Sequence, residues 1–201
     1  ASGCRNATWM GAHCRVQEPN GSLRKHPDGR SLVLSLLFPV EQATLIDTWD
    51  TIGLRGTASD SYELDNVFVP EAFTGTREHP DGSRELGSLY SFPQQAIYAV
   101  GVAGVALGIA RAMLKAFSTL ATEKTPRGLA RLMESPGVQA GVVKGEARIG
   151  AARAYLLETL REIAASAPHE RAIGIEERAR VRLATTNAIH GAIETADWLY
   201  K

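Results

Sequence analysis

Hydrophobic positions change their period once along this chain, from two to between three and four. In residues 1–75 apolar and polar residues alternate over short runs broken by turn residues. Ala7–Gln17, Ser31–Phe38, Gln42–Asp50 and Ser61–Val69 each have strand length. Pro19-Asn20-Gly21 and Pro27-Asp28-Gly29 are turn signals, and Pro39 closes the second run. In the last run Tyr62 and Leu64 alternate, then Val67 and Val69 alternate in the other register, which predicts a bulge near Asp65-Asn66. Short strands with turns between them predict a small antiparallel barrel or sandwich over 1–75. Residues 76–87 are polar and turn-rich and read as a linker.

From Ser88 the period is helical. A first helix is predicted over Phe92–Ala121, with Gly101, Gly104 and Gly108 close to one face, where another backbone could approach. Each mid-helix glycine costs about 1 kcal/mol relative to alanine, so close packing is expected there. A second helix starts after Ser135-Pro136, a cap and first-turn pair, and runs to about Ala165. Val138, Val142, Ala147, Ile149, Ala152, Leu156 and Leu160 form its inward face. A third runs from Ile175 to the end, with Val181, Ala184, Ala188, Ile189 and Ala192 inward. Three such helices predict an antiparallel bundle over 88–201. The fold class expected is therefore α+β, a small β domain followed by a helical bundle.

Composition narrows the function classes. The 201 residues carry 22 basic and 22 acidic side chains, and neither half is basic enough to suggest nucleic acid. The uncharged run Ala96–Ala110 is shorter than the roughly 20 residues that span a bilayer, so it reads as a buried helix and no membrane partner is expected. Cys4 and Cys14 read as reduced thiols of a cytoplasmic protein. No histidine has ligand spacing, so no metal is expected. Trp9 and Trp49 read as anchors of the β core, and Trp198 as packing. The opening at Ala1 and the close inside a helical pattern at Lys201 suggest a piece of a longer protein.

One segment carries more specific information. Asp50-Thr-Ile-Gly-Leu-Arg-Gly-Thr-Ala-Ser-Asp-Ser-Tyr-Glu-Leu-Asp-Asn-Val-Phe-Val-Pro70 resembles the middle-domain signature of the acyl-CoA dehydrogenase superfamily, G-L-R-G-T-x-S-x-D followed by V-x-V-P. Ala1-Ser2-Gly3, with Trp9 beyond, resembles the flavin-facing strand of that family's flavin-dependent monooxygenase branch, F-x-S-G. Val102–Ala112 is similar to the first long helix of its C-terminal domain, and Lys124-Thr125-Pro126-Arg127-Gly128 to the R-K-T-x-G turn that follows. Glu123 stands where that turn has its arginine. Ser135-Pro-Gly-Val-Gln139 resembles the type 2 branch, which includes the monooxygenases.

The resemblance implies a flavin cofactor, FAD or FMN, held by Ala1, Ser2, Gly3, Thr57, Ser59, Lys124, Thr125 and Arg127. Alanine at position 1 keeps a backbone contact to the flavin and drops a hydroxyl. Thr57 and Ser59 either line the cleft or cap a turn. Tyr98 is the position offered to substrate. The catalytic residue is unknown; His190 is a candidate if it faces the flavin, and otherwise a packing or surface histidine. The implied activity is hydroxylation of a small molecule with reduced flavin and O2, served by a flavin reductase. Alternatives are an acyl-CoA dehydrogenase using FAD and a non-catalytic remnant that only oligomerises. Family members are mostly tetramers, so a homo-oligomer is expected, either a dimer or a tetramer.

Overall fold

The computed structural model describes residues 1–76, 87–167 and 172–201. The chain divides into two compact units, Ala1–His79 and Pro80–Lys201. The expected linker 76–87 lies, apart from its two end residues, outside the described residues.

The first unit holds two small antiparallel sheets. Strands β1 (Trp9–Arg15), β2 (Val33–Pro39) and β5 (Thr74–Gly75) form one, in the order β1-β2-β5. Strands β3 (Thr44–Ile46) and β4 (Ser61–Glu63) form the other, with Leu45 opposite Tyr62. In the first sheet Met10 lies opposite Phe38 and Leu36 opposite Thr74. The two sheets share one core around Cys4, Met10 and Phe38, against which Ala12, Leu36, Tyr62 and Val69 pack. Tyr62 donates its hydroxyl proton to the Gly11 carbonyl at 2.9 Å and so ties the second sheet to the first. Both predicted turns form, with Gly21 at φ +82° and Gly29 at φ +85°, a region open to glycine because it lacks a Cβ.

Three expectations for this unit need correction. The run Ser61–Val69 is not one bulged strand: pairing stops at Glu63, and Asn66 adopts φ +50°. Asparagine enters the left-handed region more readily than most residues, so the chain turns there instead of extending. Trp9 is not a core anchor; it is 48% exposed and stacks on Phe73, with ring centroids 5.2 Å apart. Trp49 is half-buried and donates its indole proton to the Leu54 carbonyl at 3.0 Å. Phe38 fills the place expected of the tryptophans, at 1% exposure.

The second unit is an α-helical bundle of α1 (Gln94–Glu123), α2 (Pro136–Ser166) and α3 (Ile175–Tyr200). Its contacts fix the directions. Trp198 lies over Gly141, Thr195 against Gly145, and Arg180 pairs with Glu162, so α2 and α3 are antiparallel. Leu114 packs on Gly145 and Arg111 pairs with Glu146, while Val100, nearer the start of α1, and Leu160, nearer the end of α2, pack against the same core, so α1 and α2 are antiparallel as well. The core consists mostly of small residues, Ala103, Ala110, Ala152, Ala184, Ala188 and Ala192, with Leu107, Leu114, Ile149 and Leu156 between them. Small side chains let helix backbones approach, which gives dense packing along the seam.

The helix faces depart from expectation in two ways. The glycines that admit a close neighbour are not those of α1. A Cβ on Gly101, Gly104 or Gly108 would meet nothing within 4 Å, whereas one on Gly141 would fall 1.7 Å from the Trp198 ring. Nor is α1 buried throughout. Ala103, Leu107, Ala110 and Leu114 face inward, while Val102, Val105 and Ile109 are exposed. At 30 residues α1 is also longer than its uncharged run, and it is long and apolar enough to cross a membrane by length and composition. Its inward face belongs to the bundle core. On α2, Ala147 is exposed and the other predicted inward residues are buried or half-buried. Ser135 precedes α2, but its side chain makes no capping hydrogen bond; the Ser135 carbonyl accepts from Gln139 N–H at 3.0 Å.

Candidate functional site

The expected site residues of the first unit meet in space although 56 positions separate their two segments. Residues 1–3 lie along the loop that carries Thr57 and Ser59. Gly3 N–H donates to the Thr57 carbonyl at 2.7 Å, and the Ala1 nitrogen donates to the Asp60 carbonyl at 2.5 Å. Above these backbone bonds three hydroxyls join: Ser2 Oγ is 2.7 Å from Ser59 Oγ, and Ser59 Oγ is 2.9 Å from Thr57 Oγ1. Gly3 takes φ +72°, as it turns the chain into the short helical turn Cys4–Asn6.

Backbone geometry explains why residues 57 and 59 point to one place. Arg55–Thr57 is a single 3-10 turn flanked by two residues in the left-handed region, Leu54 at φ +57° and Ala58 at φ +41°. Side chains rarely adopt such angles, and doing so costs of order 1–3 kcal/mol per residue. Strain at two non-glycine positions around one turn is the kind of outlier that concentrates at binding sites. The turn is held by the Leu54 carbonyl. It accepts from Thr57 N–H at 3.1 Å, Thr57 Oγ1 at 2.9 Å and Trp49 Nε1 at 3.0 Å.

Asp60 fastens the arrangement to the sheet. Its carboxylate is 1% exposed, and it accepts from Arg5 Nε at 2.5 Å and from the backbone N–H groups of Thr48 and Trp49, each at 3.1 Å. Arg5 also reaches the exposed Asp47 at 2.7 Å. The Arg5 guanidinium, helped by the two backbone donors and opposed by burial, lowers the Asp60 pKa from 3.8 to about 2. A buried carboxylate with three donors is a strong local clamp, because removing any partner leaves a desolvated group unpaired. Reasoning from sequence alone did not select Asp60 or Arg5. The available signal was an aspartate adjoining Ser59 at the mouth of a strand, in a segment where only a paired carboxylate can be buried.

The remaining expected residues belong to the second unit. Lys124 follows α1 directly, and Thr125 and Arg127 are exposed in the turn after it. That turn is closed by Leu132 N–H donating to the Lys124 carbonyl at 2.9 Å, with Gly128 at φ +76°. Tyr98 is exposed near the other end of α1 and accepts a hydrogen bond from Gln94 Nε2 at 2.9 Å. At 1.5 Å of rise per residue, Tyr98 and Lys124 stand roughly 39 Å apart along one helix, so a single small group cannot touch both. His190 is exposed on α3. A groove of about 420 Å³ opens between α2 and α3, lined by Gly141, Lys144, Arg148, Glu194 and Trp198; it contains none of the expected site residues. Cys4 and Cys14 are both free thiols.

Residues 100–201 match the family described as acyl-CoA dehydrogenase, C-terminal domain, which covers half of the chain. The chain belongs to the acyl-CoA dehydrogenase family. Within that family its similar relatives are monooxygenases. Indole-3-acetate monooxygenase of Pseudomonas putida is 31% identical over 180 residues, 88% of this chain and 45% of the relative. The oxygenase component of an FADH(2)-dependent resorcinol hydroxylase from Rhizobium sp. (strain MTP-10005) is 31% identical over 169 residues, 78% of this chain and 40% of the relative. Among solved structures, XiaF from Streptomyces sp., in complex with FADH2 and glycerol, superposes with a TM-score of 0.77. The match is 24% identical and covers 98% of this chain and 50% of that one. The α+β fold is thus that of the acyl-CoA dehydrogenase family. The chain spans about half the length, or less, of the curated relatives it matches.

Proposed function

We propose that this chain is part of the oxygenase component of a flavin-dependent monooxygenase that hydroxylates a small aromatic substrate. The observation that carries the reading is the convergence of Ala1, Ser2 and Gly3 with Thr57 and Ser59 on one strained, clamped turn. These are the residues that the family resemblance assigns to the flavin, and the cluster fits the polar edge of such a ring. It supplies three hydroxyls in a row, the outermost exposed and the other two half-buried. Reduced flavin, when bound, supplies the electrons that activate O2. The chain's residues would hold and orient it, with the Asp60 clamp keeping the turn in place during turnover. The indole-3-acetate and resorcinol enzymes named above support the choice of monooxygenase over dehydrogenase and of an aromatic substrate.

Further parts of the reading follow from the same source. FAD is favoured over FMN by the FADH2 named for the resorcinol hydroxylase and for XiaF. An oxygenase component implies a separate flavin reductase. Lys124, Thr125 and Arg127, in the turn after α1 and remote from Tyr98 near its start, would reach the phosphates of a flavin on a neighbouring copy. Tyr98 would meet substrate. The exposed apolar face of α1 supports a homo-oligomer, a dimer or tetramer. Two free thiols accord with a cytoplasmic protein. Incubation of the full chain with FAD or FMN, followed by desalting and a visible absorption spectrum, tests the reading. Retained flavin and hydroxylation of indolic or phenolic substrates on adding a reductase and O2 are expected. A folded chain that retains neither flavin, oxidised or reduced, would refute it.

A further inference from the structure

Helix α1 carries two apolar seams on opposite faces. One is Ala103, Leu107, Ala110 and Leu114, buried in the core shared with α2 and α3. The other is Tyr98, Val102, Val105, Ile109 and Ala112, spaced alternately four and three residues apart, the interval that keeps a stripe facing one partner helix. All five are exposed, with Val102 at 58%, Val105 at 63% and Ile109 at 56%. No charged residue occurs between Gln94 and Ala110, whereas the outward faces of α2 and α3 carry Arg153, Glu158, Arg178 and Arg182. A helix that is apolar all round is a buried helix, and the described residues bury only one side of α1.

The open seam has two unlike edges. At about 100° per residue, Val102 and Ile109 lie about 40–60° to one side of Val105, and Gly101 and Gly108 about as far to the other. A Cβ at either glycine would meet nothing within 4 Å, so the glycine edge is a shallow channel open outward. A twofold axis through Val105 that runs two copies of α1 antiparallel brings like edges together. Val105 then meets Val105 of the second copy, Val102 meets Ile109, and Gly101 meets Gly108, where the two backbones can close up. Tyr98 comes opposite Ala112, whose small side chain leaves room beside the ring. Parallel pairing would instead set Arg111 and Lys115 of both copies at one level and align the two helix dipoles, and both effects oppose it.

We propose that the outer face of α1 is the docking site for a second copy of this chain, with the two α1 helices antiparallel across a twofold axis at Val105. This rests on the homo-oligomer reading above and names its contact. The uncharged seam of each copy covers that of the other, and an apolar patch of this kind marks an interaction site.

The test is disulfide trapping in the full chain. Val105→Cys should give a covalent dimer on mild oxidation, reversed by dithiothreitol, because the axis brings the two copies of residue 105 together. Ile109→Cys alone should not. At 1.5 Å of rise per residue the two copies of residue 109 stand about 12 Å apart along the seam, beyond the roughly 7 Å that a disulfide spans. Val102→Cys combined with Ile109→Cys in one chain should trap the dimer again. The wild-type chain controls for the free thiols of Cys4 and Cys14. Gly108→Leu fills the channel but meets no neighbour in its own bundle at the Cβ, so it should keep the helical circular dichroism and weaken association about tenfold in sedimentation equilibrium. A wild-type oligomer that Val105→Cys fails to trap, or that Gly108→Leu leaves as tight, would overturn the inference while the homo-oligomer reading survives. So would trapping by Ile109→Cys as efficient as that by Val105→Cys, which would mean another pairing. A wild-type chain that sediments as a monomer would overturn the inference and the homo-oligomer reading together, and flotation of that monomer with phosphatidylcholine vesicles would assign the face to a lipid surface instead.

Discussion

Gly141 and Gly150 lie on the same helix, and the same substitution should move stability in opposite directions at the two. Both are in α2, both are well inside it, and either glycine costs the helix about 1 kcal/mol relative to alanine. At Gly150 a Cβ would meet nothing within 4 Å. Gly150→Ala should therefore stabilise the second unit by close to that full amount, about 1 kcal/mol. At Gly141 a Cβ would fall 1.7 Å from Trp198 Cζ2 and within 2.4 Å of two further ring atoms. A ring that shifts to make room disturbs its edge contact with Phe117, at 5.4 Å between centroids. Overpacking of this kind costs about 1–3 kcal/mol, and losing an aromatic pair adds about 0.5–1.5 kcal/mol. Set against the propensity gain, Gly141→Ala should destabilise by about 2 kcal/mol. Urea titration followed by circular dichroism at helix wavelengths measures both. A stabilised Gly141→Ala variant would refute the account of this seam. Trp198 fluorescence would then show whether the ring had found room that the packing does not reveal.

Other consequences can be checked as directly. The Asp60 pKa is lowered from 3.8 to about 2, so its pairing stabilises the folded chain fully above the ordinary carboxylate range and is lost as pH falls through about 2. Thermal melts across that acid range should show a steeper loss of stability in wild type than in Asp60→Asn, which is already weakened at neutral pH; parallel curves would mean that Asp60 does not report the clamp. On the open face of α1, Val105 is 63% exposed, so Val105→Glu should leave the bundle's circular dichroism intact while dispersing any oligomer in sedimentation velocity. An unchanged assembly would place the interface elsewhere.

Most of the secondary structure was legible because it depends on local periodicity. The three helices begin and end within two residues of the positions their apolar spacing predicts, and the two glycine turns of the first unit form where they are written. Strand lengths were less legible: β4 stops after three residues because Asn66 turns the chain, which the continuing alternation through Val69 conceals. The glycines of α1 and α2 illustrate the same limit. A glycine's cost is local, but what it makes room for is a neighbour from elsewhere in the chain, here Trp198 for Gly141 and nothing among the described residues for Gly104.

The candidate site divides along the same line. By itself the sequence determined which residue types stand at 1–3 and 57–59 and, through their resemblance to a family pattern, the chemistry to expect of them. Only the tertiary structure decided that the two segments touch and that Asp60 is the buried group clamping them. The physical reason is that local propensity acts over a few residues, whereas a hydrogen bond between residues 57 positions apart exists only once the sheets have closed around Phe38 and brought its partners together.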